Sequence, residues 1–588
     1  MKTKWDLTVF YKNEEDPKIE SDILAIEKAY SDFEKKYKNK KDYLENEDSL
    51  VKALEDWDTL LGVAGSWKPA MYLNYRKDLD SFNQKADSLF NKVVNRLTVA
   101  SNKILFFNLA LGKIDKKLQT QFLSSDKLAP FRYYLKRIFD TAKYDLGESE
   151  EKILNLKSLP AREMWSSNQE KLLNSQTIKF EGKELPIPEA SNKIFELPKQ
   201  KRYELQQLLS EKLKSISYFA EAELNAIYTD KKIDDELRGF GEPYSATILG
   251  YQNNEKSIIT FVDTVTKNFP ISHKFYKLKA RLLKLPRLRF PDRSVSIGKN
   301  SKKVGFEEGL NIFKKALGNV DEKYVKILDH FIENGQIDVY PVKGKRGGAY
   351  CSHSTGNPTF VLLNQVDSID SIMTLGHEMG HAFHSELSKV QRPIYQDYTI
   401  SVAEVASTLF ENFVFEELLR TMSEKEKIVA LHDRIEDDIK TIFRQIACFN
   451  FELELHRSVR TDGAITKEEI AKTHNKYMKA YLGNIFDLKE DDGYFFVPWP
   501  HLRYFFYVYS YAYGQLISKA LYKKYQGDKD FIKQIEKFLS AGGSKSPEDI
   551  FKEIGIDTSK PEFFLDGLRS IEEDIKRLEK LAKSAKLV

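Results

Sequence analysis

The chain has 588 residues, which is too long for one simple hydrophobic core and predicts two or more subdomains. Its 92 Lys and Arg against 88 Asp and Glu give a net charge of only +4, so no basic field indicates a nucleic-acid partner. The 41% hydrophobic and 12% aromatic residues are typical of a soluble globular protein and exclude a disordered chain.

The N-terminal segment and the cysteines indicate the cellular compartment. Charged residues interrupt every apolar stretch of residues 1–18, which leaves no signal-peptide core there. The longest apolar run, residues 104–111, is too short to cross a bilayer. Two cysteines, Cys351 and Cys448, do not make a disulfide framework. We therefore expect a cytoplasmic protein with no membrane partner.

The predicted fold class is mainly α, built from long helices. Over residues 22–129, apolar residues at helical spacing predict a bundle with hydrated outer faces, although binding of a partner stays an alternative. Residues 178–188 alternate apolar and polar around Gly182 and predict a small hairpin. A domain boundary near this hairpin divides the chain into residues 1–190 and 191–588. Further helices are predicted at residues 202–225, 257–285 and 306–334.

A glycine-rich loop precedes the most informative part of the chain. It surrounds residues 350–353, and a short apolar run follows at residues 358–364, which predicts a strand. This strand is either an ordinary core strand or one that receives an extended peptide by backbone pairing. His353, within the loop, is either a substrate contact or a surface histidine.

Residues 370–389 predict a helix that carries the sequence HEMGH at positions 377–381. Apolar residues recur there at steps of three or four, so the helix has a core face of its own. Residues four apart share one helix face, and His377 and His381 therefore reach one point, where a zinc ion fits. Glu378 reaches the same neighbourhood without being a ligand, which is the placement of a general base.

A hydrolytic zinc site needs a third protein ligand and one open position. The metzincin pattern is excluded because the chain has His384 and Leu387 where that class has Gly and His, and the zinc aminopeptidase pattern fails because its Glu would fall on Ile400. The next predicted helix carries two carboxylates two turns apart on one face, Glu404 and Glu411. We assign Glu404 as the third ligand and Glu411 as the group that orients a metal-bound imidazole, with two solvated helix glutamates as the alternative.

The C-terminal third is predicted to be helical. Thr466 opens a capping box, and Ser546 before Pro547 is a second cap signal. Between them, residues 502–519 predict a densely aromatic helix, and core packing explains most of its rings. Buried phenols still need partners, and donation to an oxyanion is one way to supply one.

Four stretches carry a family resemblance: GKRGGAYCSHSTGNPTFVLLN, GHEMGHAFHSEL, AEVASTLFEN and GGSKSPEDIFKEIGID. Together with the opening Trp5-Asp6-Leu7, they resemble the oligoendopeptidase F branch of the thimet oligopeptidase family of zinc metallopeptidases, over nearly the whole chain. The resemblance implies one zinc ion per chain, bound by His377, His381 and Glu404, with Glu378 as the catalytic base.

The resemblance also implies further substrate contacts. In relatives, a histidine and a tyrosine contact the scissile carbonyl, for which His501 and Tyr509 are the best matches here and Tyr507 the next. It implies a zincin-like fold with a small β-sheet beside the active-site helix and a deep substrate channel. Residues 191–588 would then be the catalytic domain and residues 1–190 an N-terminal helical domain.

The function predicted is that of a zinc-dependent endopeptidase that hydrolyses internal bonds of short oligopeptides, with a zinc-activated water and Glu378 as general base. Oligopeptide substrates follow from the resemblance alone, because a deep channel admits short flexible chains. The competing interpretation is a non-catalytic helical peptide-binding or scaffold protein with a structural metal. A structural zinc usually has four protein ligands, often cysteine, and both cysteines lie outside the motif.

Overall fold

The computed structural model describes residues 1–298 and 303–588 and is mainly helical, which confirms the predicted class. The helices are α1 Pro17–Tyr37, α2 Asp42–Glu45, α3 Glu47–Ala64, α4 Lys68–Leu79, α5 Gln84–Ser101, α6 Leu105–Gly112, α7 Lys116–Ser124, α8 Arg132–Thr141, α9 Glu148–Ser158, α10 Met164–Ser175, α11 Ile187–Lys193, α12 Lys199–Arg238, α13 Ser245–Gly250, α14 Glu255–Lys267, α15 Pro270–Leu282, α16 Phe306–Gly318, α17 Glu322–Glu333, α18 Ile369–Ser388, α19 Pro393–Gln396, α20 Ile400–Arg420, α21 Glu424–Asp438, α22 Gln445–Asp462, α23 Lys467–Leu482, α24 Tyr509–Gly527, α25 Ile532–Ser540, α26 Pro547–Glu553 and α27 Pro561–Ser584. The strands are β1 Thr177–Phe180, β2 Lys183–Pro186, β3 Ile337–Asp338, β4 Tyr350–Ser352 and β5 Phe360–Leu362.

The chain folds into two compact units, and each is built from separate stretches of sequence. The first unit consists of Met1–Asp145, Lys302–Arg420 and Lys524–Gly555, and the second of Leu146–Ser301, Thr421–Lys523 and Ile556–Val588. The predicted contiguous division into residues 1–190 and 191–588 therefore does not describe the compact units. The reason is long-range packing, which a local boundary signal does not report.

Trp5 shows this packing within the first unit. Its indole Nε1 donates to the carbonyl oxygen of Val361 at 2.8 Å, and its ring lies 5.5 Å from that of Phe360. Both partners belong to β5, the central strand of a three-stranded sheet in which β3 pairs parallel and β4 antiparallel to it. β4 and β5 pack beside α18, so the predicted strand and its position beside the active-site helix are confirmed.

The second unit is organised around α12, a single helix of 40 residues. The predicted hairpin is confirmed as β1 and β2, which pair antiparallel on either side of Gly182 at a φ of 78°. The helix predicted over residues 502–519 is only partly present, because α24 begins at Tyr509. Phe505 and Phe506 take left-handed φ values of 36° and 58°, which no α-helix accommodates.

No helix among the described residues combines the length and the apolar character that are needed to cross a membrane.

Candidate active site

Helix α18 carries the histidine motif, and its own sequence explains where it begins and which face it buries. Ser368 caps it, because its hydroxyl oxygen accepts from the backbone N–H of Ser371 at 3.2 Å. The buried face is lined by apolar residues at helical spacing, including Ile372, Leu375, Met379 and Phe383. His377 and His381 lie four residues apart, and their rings are 4.9 Å apart at an interplanar angle of 82°.

Two glycines on α18 allow α20 to approach closely. A Cβ at Gly380 would lie 2.7 Å from Cα of Ser407, and a Cβ at Gly376 would lie 2.8 Å from Cγ2 of Val414. Side chains larger than hydrogen would push the helices apart, so this pair of glycines sets the distance between the histidines and the carboxylates of α20. The sequence analysis missed this role, although two glycines four residues apart around the motif were a visible signal.

Gly380→Ala is expected to lower the free energy of unfolding by about 1–3 kcal/mol and to weaken metal binding, because the added methyl group meets rigid backbone. Gly376→Ala is expected to lower the free energy of unfolding less, because the nearest neighbour of the added methyl group is the Val414 side chain and not backbone. Gly250→Ala is the control, since a Cβ there meets nothing within 4 Å. Chemical denaturation and metal titration measure the three variants, and equal effects of all three would contradict this role.

The structure brings His377, His381 and Glu404 together as a candidate metal centre. Their ligand atoms lie within 4.8 Å of one another, and among the described residues this is the one such group of His, Cys, Asp and Glu. His377 Nε2 and Glu404 Oε2 are 3.7 Å apart. Zinc binds nitrogen and oxygen at about 2.0–2.2 Å, so tetrahedral ligands lie roughly 3–4 Å apart. Two imidazoles and one carboxylate at this spacing fit a zinc ion that keeps a position open.

Glu411 lies on the other side of His377. Its Oε1 is in hydrogen-bond contact with His377 Nδ1, which leaves Nε2 directed at the metal group. Burial lowers the pKa of His381 well below its ordinary value. At His377 burial acts the same way, but the hydrogen bond and the charge of Glu411 outweigh it and raise the pKa to about 9. Glu411 therefore increases the basicity of one candidate ligand.

Glu378 is 7% exposed and lies beside this group. Burial raises the pKa of Glu378 to about 7. The charge of His377 and the backbone N–H of Cys351 act against that rise, and the charges of Glu404 and Glu411 add to it. Cys351 belongs to β4, so a main-chain N–H of the sheet lies near the carboxylate. A carboxylate whose pKa is close to neutral is suited to accept and return a proton.

His353 packs against neighbours in the first unit. Its ring stacks on Tyr398 at 5.1 Å, and its Nε2 lies 3.4 Å from Asp397 Oδ1. Tyr398 also stacks with His384, which is fully buried with its ring centroid 3.6 Å from that of Tyr398. The Tyr398 hydroxyl and Ser385 Oγ are 2.9 Å apart, which ties the stack to α18. The sequence analysis missed Tyr398, because its position depends on the loop that precedes α20.

His501 and Tyr507 form a pair in the second unit. His501 Nδ1 and Tyr507 Oη are 2.5 Å apart, and His501 Nε2 lies 3.3 Å from the amide nitrogen of Gln445. With the Gln445 amide in this orientation its nitrogen donates to Nε2, and Nδ1 then carries the ring proton toward Tyr507. Burial lowers the pKa of His501 to about 4, which keeps the ring neutral. Tyr507 then retains its own hydroxyl proton, because burial and the neighbouring Tyr511 raise the pKa of this phenol.

Tyr509, which the resemblance made the best match for the tyrosine that contacts the scissile carbonyl, lies in the core. It is fully buried, and its hydroxyl accepts a hydrogen bond from Asn253 Nδ2 at 2.9 Å. Tyr507 and Tyr511 are partly exposed instead, with ring centroids 5.6 Å apart. The left-handed residues before Tyr507 shift the side-chain directions away from those of the helix predicted there. Of these two tyrosines, Tyr507 is the accessible one and Tyr509 is enclosed in the core.

Comparisons with known proteins identify the family of the chain. The sequence matches the family described as Peptidase family M3 over residues 199–570, and the one described as Oligopeptidase F over residues 111–177. Oligopeptidase PepF of Bacillus subtilis (strain 168) is 28% identical over 567 residues, which cover 94% of this chain and 83% of that protein. An oligoendopeptidase F homolog of Borreliella burgdorferi is 28% identical and covers 95% of this chain and 94% of its own length.

Solved structures share the fold. A protein from Chlamydophila abortus aligns with a TM-score of 0.84 at 24% identity and covers 98% of both chains. Oligoendopeptidase F from Enterococcus faecium aligns with a TM-score of 0.70 at 20% identity, covering 97% of this chain and 99% of that one.

Proposed function

The chain belongs to peptidase family M3 and is a metalloendopeptidase, and from that premise we propose that it cleaves short oligopeptides with zinc as its metal. The observation that carries the proposal is the group formed by His377, His381 and Glu404, with Glu411 against the first histidine. Two nitrogens and one carboxylate oxygen are the donor set of hydrolytic zinc sites. A zinc ion bound there would supply Lewis acidity that polarises a carbonyl group and lowers the pKa of water.

Glu378 is the proposed general base. Its carboxylate takes a proton from the attacking water and then returns it to the departing amine of the cleaved peptide. Two features support this role: burial raises the pKa to about 7, and the carboxylate lies beside the group formed by His377 and Glu404. Glu411 acts through His377, because it holds the imidazole in one tautomer and orientation.

Tyr507 is the proposed hydrogen-bond donor to the substrate carbonyl, with His501 as its partner. In the tautomer that the Gln445 amide supports, the histidine donates from Nδ1 to the phenol oxygen, and the phenol proton stays available to the substrate. A donor that is held in place before the reaction stabilises the developing oxyanion without reorganisation. His353, stacked on Tyr398, remains a proposed substrate contact, and its partly exposed ring supports that role.

Tyr507→Phe is expected to lower kcat about 100- to 1000-fold, because one oxyanion donor is removed, while zinc content stays at one per chain. Tyr509→Phe is the discriminating variant. It is expected to leave kcat nearly unchanged and to lower stability by about 1–3 kcal/mol, since Asn253 loses its acceptor. Steady-state kinetics on a quenched oligopeptide and thermal melts separate the two. The opposite ranking of the two kcat values would return the role to Tyr509.

The function itself is tested with the metal removed and restored. Purified protein is expected to cut a random oligopeptide mixture at internal bonds, to lose this activity in a chelator, and to recover it on addition of zinc. Mass spectrometry of the products identifies the cut sites, and a folded protein substrate is expected to remain intact. Cleavage that persists after verified removal of the metal, or release of terminal residues alone, would contradict the proposal.

The alternative of a non-catalytic scaffold is overturned by membership of a peptidase family over more than half of the chain. The donor set agrees, since a structural zinc usually has four protein ligands. Both cysteines are free thiols, and we propose a reducing cytoplasm as the location on that ground.

A further inference from the structure

Two consecutive non-glycine residues in the second unit, Phe505 and Phe506, have left-handed backbone conformations. Bulky side chains avoid this region, so two in a row persist only where the surroundings fix them. Tyr507 follows immediately, and the turn sets the direction of its side chain. The inference drawn from this turn rests on the proposed role of Tyr507.

A buried carboxyl group fixes the turn. Both oxygens of Glu452 accept from the backbone N–H of Phe506, at 3.0 and 3.1 Å, and Glu452 is fully buried on α22. On the other side, the Thr247 hydroxyl donates to the carbonyl oxygen of Phe505 at 2.9 Å. The turn thus has one side-chain acceptor for its N–H and one side-chain donor for its carbonyl group.

The rings of the turn are enclosed as well. Phe506 packs 5.2 Å from Phe449 and 5.0 Å from His456, and Phe505 lies 5.3 Å from His456. His456 stands one turn beyond Glu452 on α22. One helix therefore supplies both the polar and the apolar contacts that stabilise the left-handed pair.

His501, the hydrogen-bond partner of Tyr507, is held in place by a different helix. The Arg503 guanidinium donates to both carboxylate oxygens of Glu223 on α12, at 2.9 and 2.6 Å, and to the carbonyl oxygens of Trp499 and Val497. This bidentate pair is almost fully buried and holds residues 497–503, which include His501, against α12. His501 and Tyr507 are thus fixed from two helices, and the path between them runs through the left-handed turn.

We propose that Glu452 is a positioning residue for the peptidase reaction: by holding the N–H of Phe506, it places the Tyr507 hydroxyl against His501 Nδ1 and directs it at the substrate. It touches neither substrate nor metal and acts only through Tyr507. Burial raises the pKa of Glu452 to about 8, while the Phe506 N–H opposes that rise, so a neutral amide of the same shape is a close substitute.

Glu452→Ala is expected to lower kcat about 10- to 100-fold with KM within about twofold, because a small displacement of a catalytic group costs rate more than binding. Glu452→Gln retains an oxygen that accepts from the Phe506 N–H and is expected to restore most of the rate. Glu454→Ala is the matched control: it lies on the same helix, pairs with Lys476 and Tyr477 at the surface, and is expected to change neither constant.

A double-mutant cycle separates positioning from general destabilisation. In the Tyr507→Phe background, Glu452→Ala is expected to cause no further loss of kcat, since its effect is transmitted by the phenol. A further loss of the same size would overturn the proposal. Should Glu452→Ala fail to fold, Thr247→Val removes the other anchor of the turn and is expected to show the same non-additivity with Tyr507→Phe.

Hydrogen exchange gives a readout that needs no activity. The Phe506 amide is expected to exchange at least about tenfold faster in Glu452→Ala than in the wild type, with α24 protected as before. Unchanged exchange at Phe506 would overturn the role of Glu452 even if kcat fell. Failure of the proposed function is distinct from this, because it would appear as a wild-type protein that cleaves no peptide while the exchange result still holds.

Discussion

Glu378→Gln is expected to retain one zinc per chain and to lose peptide turnover about 100- to 10,000-fold, which is the usual contribution of general acid-base catalysis. Glutamine has the shape of glutamate and carries no charge that would have to be buried, so the fold around α18 is preserved. What it lacks is a group that takes a proton from water. Metal analysis and kcat on a quenched oligopeptide, measured on the same preparation, check both halves of the expectation.

The matched control for this variant is Glu386→Gln on the same helix. Glu386 accepts from Thr359 Oγ1 at 2.6 Å and from Lys389 Nζ at 2.6 Å, and it has no part in the metal group. Its turnover is expected to equal that of the wild type. Full activity in Glu378→Gln would remove Glu378 from the mechanism, and loss of zinc in that variant would assign it to metal binding instead.

The second large effect is expected at Glu404. Glu404→Ala removes one of three protein ligands, and zinc affinity is expected to fall by more than about 100-fold, with activity lost in step. Glu411→Ala removes the acceptor of His377 Nδ1 and is expected to weaken zinc affinity only about 10- to 100-fold. Competition with a zinc chelator of known affinity measures both variants on one scale.

Glu411→Gln separates hydrogen bonding from charge at this position. Its amide oxygen still accepts from His377 Nδ1, so zinc affinity is expected to lie between those of the wild type and Glu411→Ala. Unchanged zinc affinity in Glu404→Ala would refute Glu404 as a ligand. A loss at Glu411 as large as that at Glu404 would assign both carboxylates to the metal.

Helical periodicity was sufficient to predict which residues of the candidate metal centre share a helix face. Residues four or seven apart share a helix face whatever the rest of the chain does, so His377 with His381 and Glu404 with Glu411 were visible as pairs. The distance between the two helices was not visible. It depends on how α18 and α20 pack, and the two glycines that permit the close approach act only through contacts with residues about 30 positions away.

In the aromatic segment, residues 502–519, the local pattern predicted a helix start that the structure does not have. Its composition predicts a helix over residues 502–519, but Glu452 and Thr247 hold Phe505 and Phe506 in left-handed conformations that local propensity disfavours. This tertiary override moves the start of α24 to Tyr509, buries the tyrosine of first choice and exposes Tyr507. The domain division differs for the same reason, because Trp5 binds a strand more than 350 residues away.

The sequence by itself determined the helical class, the cap and strand positions, the peptidase family and the identity of the candidate zinc ligands. Each of these follows from the spacing of residues within a single helix or strand, or from a matching motif. Only the tertiary structure decided which tyrosine is accessible, how far the ligand helices stand apart and how the chain divides into compact units. Those properties arise from contacts between residues distant in sequence, whose geometry is set by side-chain packing and buried hydrogen bonds rather than by periodicity.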